Sequence, residues 1–299
     1  MLRCLHGLGD TIQFIRYAPL IRRTSSSLIA QVHPQLVTLI QGVSGIDKVI
    51  TWGKSAEVEE RDWEMQMEVT ELPRAFRSTI SSLPTTIPYI QVAAERIEWA
   101  SGLFGNTRTT EHGGSVSDLS EDAAVSCALF PPGRNLRIGV AWQSGPWDPA
   151  RSISLDFLGP LFALRGCEFY SLQKEADLHE IRKRWPLRDL EIYAKDVRDT
   201  AALILNLDLV VAVDTMTAHL AGALGRPVWV LLPFRADWRW MLKRTDSPWY
   251  PTLRLFRQTE PGNWVPVIDA MIRRLQAERT DEAFRKLSAD SPAGHAFHR

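Results

Sequence analysis

The sequence predicts an α/β protein made of two doubly wound domains. Three observations support that class. Short apolar runs, such as LVVAV within 207–213 and VWVLL at 228–232, alternate with helix-like segments along most of the chain. Those runs are apolar along their whole length, as strands are when helices cover both faces of a parallel sheet. Polar residues gather where a strand gives way to a helix, the edge at which open α/β sheets bind ligands.

The totals agree with this class. A chain of 299 residues, 45% hydrophobic and 23% charged, can bury two ordinary cores. Lys plus Arg (35) equals Asp plus Glu (35), so no global field favours nucleic acid or an anionic membrane surface. Cys4, Cys127 and Cys167 are far apart and lack C-x-x-C spacing, which argues against a disulfide framework or structural zinc and suits a reducing cytoplasm. There is no apolar run of the ~18 residues that a membrane span needs, and the start lacks a signal-peptide layout. Of eleven tryptophans, Trp229, Trp238, Trp240, Trp249 and Trp264 lie in the last third, where core and interface packing is the expected role.

In chain order, a short strand (1–6) meets the turn Gly7-Leu8-Gly9-Asp10 and a helix over 11–23. The two glycines let backbone approach a ligand closely. This is no dinucleotide fingerprint, because the third glycine would fall at Ile12. Asp10 reads equally as a helix cap or as a chemical carboxylate. The pattern continues with a strand at 28–32, a helix at 34–41 and a strand at 48–52. A polar stretch over 55–71 carries a strand near 63–69, 83–92 is loop and strand, and a helix at 93–104 closes the first domain, 1–104. Residues 105–135 are rich in Gly, Ser, Thr, Asp and Pro and form a linker or mobile loop.

The second domain, 136–279, opens with a strand at 136–142. Strands follow at 167–173, 190–194, 207–213 and 228–232, with helices at 177–185, 199–206 (capped by Asp199) and 216–224 between them. After Pro233 the chain is irregular and aromatic up to a helix at 264–276, and the polar tail 280–299 is expected to be disordered.

The stretch LDLVVAVDTMTAHLAGALGRPVWVLLP, 207–233, organises the rest. Asp214, Thr215, Met216, Thr217 and His219 fall at a strand end and helix start, where free N–H groups and the helix dipole favour an anion. A diphosphate is the expected occupant, although His219 reads equally as a packed structural histidine. Gln143 and Ser144, then Gln173, Lys174 and Glu175, follow other strands and would converge on the same crevice with groups suited to base, ribose and phosphate. Arg151, after the first of these strands, could neutralise charge on a departing diphosphate. No H-x-E, H-E-x-x-H or Cys/His cluster points to a metal, and neither a P-loop nor a G-x-S-x-G elbow occurs.

These motifs carry a resemblance. GLGDTIQFIRYAPLI, IGVAWQSGPWDPARSISLDFLGPL, FYSLQKE and DLVVAVDTMTAHLAGALGRPVWVLLPFRADWRWMLKRTDSPWYPTLRLFRQ resemble the glycosyltransferase region that follows tetratricopeptide repeats in many bacterial proteins. That region is similar to the ADP-heptose:lipopolysaccharide heptosyltransferase family and more distantly to O-linked GlcNAc transferases. The resemblance spans about 1–277. It implies a GT-B fold, two Rossmann-like domains facing a cleft, and metal-independent transfer with inversion at the sugar carbon. By the same resemblance Asp10, with Gly9 and Thr11 beside it, matches the general base, and Arg151 falls near a phosphate-contacting lysine. Asp214-Thr215 with His219 matches the D-[ST]-x-x-x-H segment at the diphosphate and ribose. Gln173, Lys174 and Glu175 fall where ribose or base is contacted. In this sequence no tetratricopeptide repeats precede the domain, and the first strand is cut to six residues before Gly7, which suggests a truncated or mis-started chain.

The expected function is therefore inverting, metal-independent glycosyl transfer without a cofactor. The donor would be a nucleotide-diphosphate sugar and the acceptor a hydroxyl of a glycan, lipopolysaccharide or protein. The alternative is a pseudo-transferase that binds a nucleotide or a protein without turnover, and a sugar-nucleotide epimerase on the same fold is a third.

Overall fold

The computed structural model describes residues 1–52, 63–104, 134–145, 148–174 and 178–289. Two parallel sheets hold the strands. The first has four, β1 (Leu2–Arg3), β2 (Ile29–Val32), β3 (Lys48–Thr51) and β4 (Met67–Glu68), in the order β3-β2-β1-β4. The second has six, β5 (Leu136–Ala141), β6 (Cys167–Ser171), β7 (Leu187–Asp189), β8 (Leu209–Val213), β9 (Val228–Leu232) and β10 (Leu253–Arg257). Their order is β10-β9-β8-β5-β6-β7, so the direction of winding reverses between β5 and β8. The crevice outside the carboxyl ends of those two strands is the position where open α/β sheets bind ligands.

The helices of the first half are α1 (Leu8–Phe14), α2 (Ala18–Arg22), α3 (Val37–Ile40), α4 (Leu72–Ala75) and α5 (Ala94–Gly102). Those of the second half are α6 (Leu155–Phe162), α7 (Leu178–Arg184), α8 (Val197–Leu205), α9 (Met216–Ala223) and α10 (Val265–Ala289). Strand period splits the core into two layers. From β8, Leu209, Val211 and Val213 face a cluster with Leu158 of α6 and Met271 of α10. Val210 and Ala212 face the other way, into a cluster that also holds Leu220 of α9, Ile12 and Phe14 of α1, and Leu2 and Ala30 of the first sheet. One apolar layer thus joins the two sheets, with α1 against α9 and α5 against α8. At the second contact Arg96 pairs with Asp196 (3.3 Å) and with Asp199, and Asn206 Nδ2 donates to Ile97 O (3.0 Å).

Several elements differ from the sequence expectation. The helix expected over 11–23 begins at Leu8 and is broken by a 3-10 turn, Ile15–Tyr17, ahead of Pro19, which has no N–H to continue an α-helix. No strand forms over 83–92. That segment is irregular, with bends at 83, 87 and 90, and is tied to the second half by Tyr89 N donating to Ala223 O (3.1 Å). The strand expected at 190–194 lies earlier, because buried Leu187 pairs with Phe169, and Ile192 and Tyr193 are left exposed on a 3-10 turn. The cap of α8 is Asp196, which accepts from Arg198 N and Asp199 N, not Asp199, whose carboxylate takes Lys195 N (3.0 Å) and Arg96. Strand β10 lay in the stretch read as irregular. Its Leu253 and Leu255 are buried while Arg254, Phe256 and Arg257 are half-buried, as on an edge strand. The last helix continues to Ala289 rather than stopping near 276. The linker at 105–135 falls almost wholly outside the described residues. Four of the five late tryptophans are buried as expected, but Trp238 is 62% exposed.

Candidate functional site

Two helix starts meet between the sheets. Helix α1 follows the carboxyl end of β1 through Cys4–Gly7, and Asp10 caps it from within, since its Oδ2 accepts Gly7 N–H (3.0 Å). Helix α9 follows β8 with Thr215 as its N-cap residue in extended backbone. Their approach is close at one point: a Cβ on Gly9 would lie 2.7 Å from His219 Cδ2. Glycine there permits the contact that joins the halves.

His219 is buried. Its Nδ1 lies 3.0 Å from the Tyr250 hydroxyl and its Nε2 3.7 Å from Asp214 Oδ1. Its ring stacks on Trp240 with centroids 5.3 Å apart and an interplanar angle of 21°. Burial lowers its pKa, and the Asp214 carboxylate pulls only partly the other way, so the ring favours its neutral form. Asp214 is buried too. Although burial disfavours its charge, His219 and Arg239 hold its carboxyl below the usual range.

Arg151 ends a 3-10 turn, Pro149–Arg151, and reaches the same point. Its Nη1 donates to Asp214 O (3.1 Å) and stands 3.7 Å from Asp214 Oδ2, and its Nε is 3.4 Å from Asp148 Oδ2. A guanidinium therefore borders the start of α9. Thr215 Oγ1 is buried there without a hydrogen-bond partner among the described residues, Met216 is half-buried, and Thr217 is 6% exposed. The first N–H groups of a helix have no intrahelical acceptor. With Arg151 beside them they make a setting for an anion.

The other expected residues occupy different positions. Thr11 is buried in α1. Gln173 Oε1 accepts Trp142 N–H (3.1 Å) and Gln143 N–H (2.8 Å), so that amide fastens the end of β5 to β6. Ser144 N–H donates to Ser152 Oγ (3.0 Å), and its hydroxyl to Asp148 O (2.8 Å), which shapes the loop leading to Arg151. Gln143 and Lys174 are exposed at the sheet edge. Lys174 attracts Glu191, whose carboxyl burial pushes up to about 7 against that pull. Glu175 lies outside the described residues.

Arg239, which the sequence reading did not single out, joins this cluster. Its Nη2 donates to Asp10 Oδ1 (2.6 Å), its Nη1 to Gln13 Oε1 (2.9 Å) and its Nε to Asp237 Oδ1 (2.8 Å). The only local signal was Asp237, two positions before it, which caps the turn Trp238–Trp240 by accepting Arg239 N–H (3.0 Å). Among the described residues, no group of three or more His, Cys, Asp or Glu side chains could hold a metal ion. Among the described residues, no helix is long and apolar enough to cross a membrane. A cavity of about 610 Å³, bordered by Met1, Leu28, Met67 and Phe76, lies at the amino end of the first sheet, away from this cluster.

No family model matches the chain. A curated relative, Protein FlbA of Caulobacter vibrioides, is 27% identical over 152 residues, which is 47% of this chain and 25% of that protein. The chain thus spans about a quarter of the length of that relative. Among solved structures, Escherichia coli ADP-heptose lipopolysaccharide heptosyltransferase II superposes with a TM-score of 0.62 at 12% identity, covering 95% of this chain and 98% of that one. A glycosyl transferase family 9 protein from Veillonella parvula gives 0.62 at 13% identity, covering 94% and 96%. E. coli heptosyltransferase WaaC with ADP gives 0.53 at 13%, covering 93% and 98%. At such identities the likeness is one of fold: the chain has the α/β architecture of these glycosyltransferase structures over nearly its whole length.

Proposed function

We propose that the protein is a metal-independent, inverting glycosyltransferase of GT-B architecture, with residues 1–104 on the acceptor side and 136–279 on the donor side. The donor is a nucleotide-diphosphate sugar, and the acceptor is a hydroxyl of a glycan, lipopolysaccharide or protein. One observation carries the reading. The start of α1, with Asp10, abuts the start of α9, with Asp214 and His219, through Gly9. Arg151 borders the same helix start. A carboxylate and an anion setting therefore lie at adjoining helix starts. Two of the similar solved structures are described as an ADP-heptose transferase and a heptosyltransferase with ADP, which supports a nucleotide sugar as donor.

In this scheme the diphosphate rests on the free N–H groups of Met216 and Thr217, with Arg151 balancing its charge. Asp214 does not face the phosphates as a ligand. It holds Arg151 on one side and His219 on the other. The acceptor oxygen attacks the sugar carbon, the bond to the diphosphate breaks, and the acceptor proton passes to the Asp10 carboxylate. A carboxylate can assist late in such a step, as the hydroxyl meets an oxocarbenium-like carbon. Charge arising on the leaving diphosphate is met by groups already in place, which lowers the barrier.

Calorimetry with nucleoside diphosphates and a transfer assay across a panel of nucleotide sugars test the proposal. Asp10→Asn should leave nucleotide affinity within about threefold and reduce turnover by roughly 10²–10⁴-fold, the span of general base catalysis. Full activity in Asp10→Asn would remove Asp10 as the base. Absence of nucleoside-diphosphate binding to the wild type would sink the whole reading.

A further inference from the structure

We propose that Arg239 is the positioning residue for Asp10, and that its turn ties the acceptor-side carboxylate to the donor-side helix. The proposal rests on the transferase reading above. Arg239 comes from the loop after β9, yet its guanidinium fork spans three partners on two parts of the chain: Asp10, Gln13 and Asp237. The side chain is 12% exposed, so these contacts are poorly screened by water. Its own carbonyl accepts the Trp249 Nε1–H (3.1 Å), which fixes the backbone from behind. The next residue, Trp240, is the ring that stacks on His219. One short turn, Trp238–Trp240, therefore holds Asp10 with one residue and His219 with the next.

The arrangement suits a carboxylate that must be aimed. Gly7 N–H occupies one position on Oδ2 and Arg239 one on Oδ1. An ionised carboxylate has about four acceptor positions, so capacity remains for an acceptor hydroxyl while the group is fixed at both oxygens. Such fixing matters because a misplacement of about 1 Å can cost on the order of 10²-fold in rate. A clip that only joined the halves would need no particular carboxylate at its end. Arg239 instead engages the carboxylate to which the transfer scheme gives the acceptor proton, and arginine's planar fork can hold Asp10, Gln13 and Asp237 together as a lysine point charge cannot.

The test uses steady-state transfer kinetics on wild type, Arg239→Gln, Arg239→Lys, Asp10→Asn and the Asp10→Asn/Arg239→Gln double variant. Nucleoside-diphosphate binding by calorimetry is measured alongside. Positioning predicts that Arg239→Gln lowers kcat by about 100-fold, with donor KM and nucleotide Kd changed by less than about threefold. Arg239→Lys should recover part of that loss. In the Asp10→Asn background the same substitution should cost almost nothing more, because groups that act as a unit are non-additive. A donor KM that rises while kcat holds would overturn the proposal in favour of a donor contact. Losses that add in the double variant would overturn it in favour of a structural clip. Either result, with an active wild type, sinks the Arg239 assignment alone, whereas a wild type that transfers from no donor sinks the transferase reading as well.

Discussion

Replacing Gly9 by alanine probes the contact on which the site depends. At an unconstrained helix position, alanine stabilises by roughly 0.5–1 kcal/mol over glycine, because the unfolded chain loses less freedom. Here the added methyl would sit 2.7 Å from His219 Cδ2. The ring cannot step aside cheaply, since it is buried, stacked on Trp240 and held at Nδ1 by Tyr250. Overpacking of this kind costs about 1–3 kcal/mol, so the net expectation for Gly9→Ala is a loss of up to about 2.5 kcal/mol once the helix gain is set against it. Urea denaturation reads this as a lower midpoint with an unchanged slope. Because the shift would pass through His219 to Asp214, nucleoside-diphosphate affinity should fall as well. A Gly9→Ala protein more stable than wild type would refute the reasoning: α1 and α9 would then not meet at this point, and the halves would be joined differently.

Two further outcomes follow from the same geometry. Arg151→Ala should weaken nucleoside-diphosphate binding by about 10–100-fold, since a charge-assisted contact contributes roughly 1.5–3 kcal/mol. Nucleoside affinity should be nearly unchanged, and calorimetry that shows equal losses for both ligands would dissociate Arg151 from the phosphates. Glu191 gives a pH signature. Burial raises its carboxyl from 4.5 to about 7 despite Lys174, so between those values the folded protein keeps a proton that the unfolded chain releases. Stability must then fall as pH rises through this window and level off above it, by up to roughly 3 kcal/mol. In thermal melts, Glu191→Gln should match wild type near pH 5 and exceed it at pH 8, and parallel curves at both values would contradict the burial of this carboxylate.

Much of the second sheet was legible because its signals are local. Strands β8 and β9 are apolar at every position since both faces are covered; β8 ends at Asp214, and β9 starts after the Gly225-Arg226-Pro227 break and ends at Pro233. The helix start at Thr215–Met216 is likewise a property of adjacent residues. Element edges decided by competition between neighbours were less legible. Asp196 and Asp199 both suit a cap, and Arg96, from a helix about a hundred residues away, pairs with both and engages the second. Ile192-Tyr193 has strand propensity, but the buried pairing of Leu187 with Phe169 sets the register first. Strand β10 hid among aromatic and basic residues because an edge strand needs only one apolar face.

By itself the sequence determined the class of fold, the strand-to-helix edges and the residue types gathered at them. These follow from hydrophobic period and turn chemistry over a few positions. Only the tertiary structure decided that Asp10 lies against Arg239, 229 positions later, that Gly9 is the point of contact with His219, and that Asp214 serves Arg151 and His219 together. Those facts arise where one apolar layer presses two sheets together, and no local pattern encodes which side chains then come within hydrogen-bond reach.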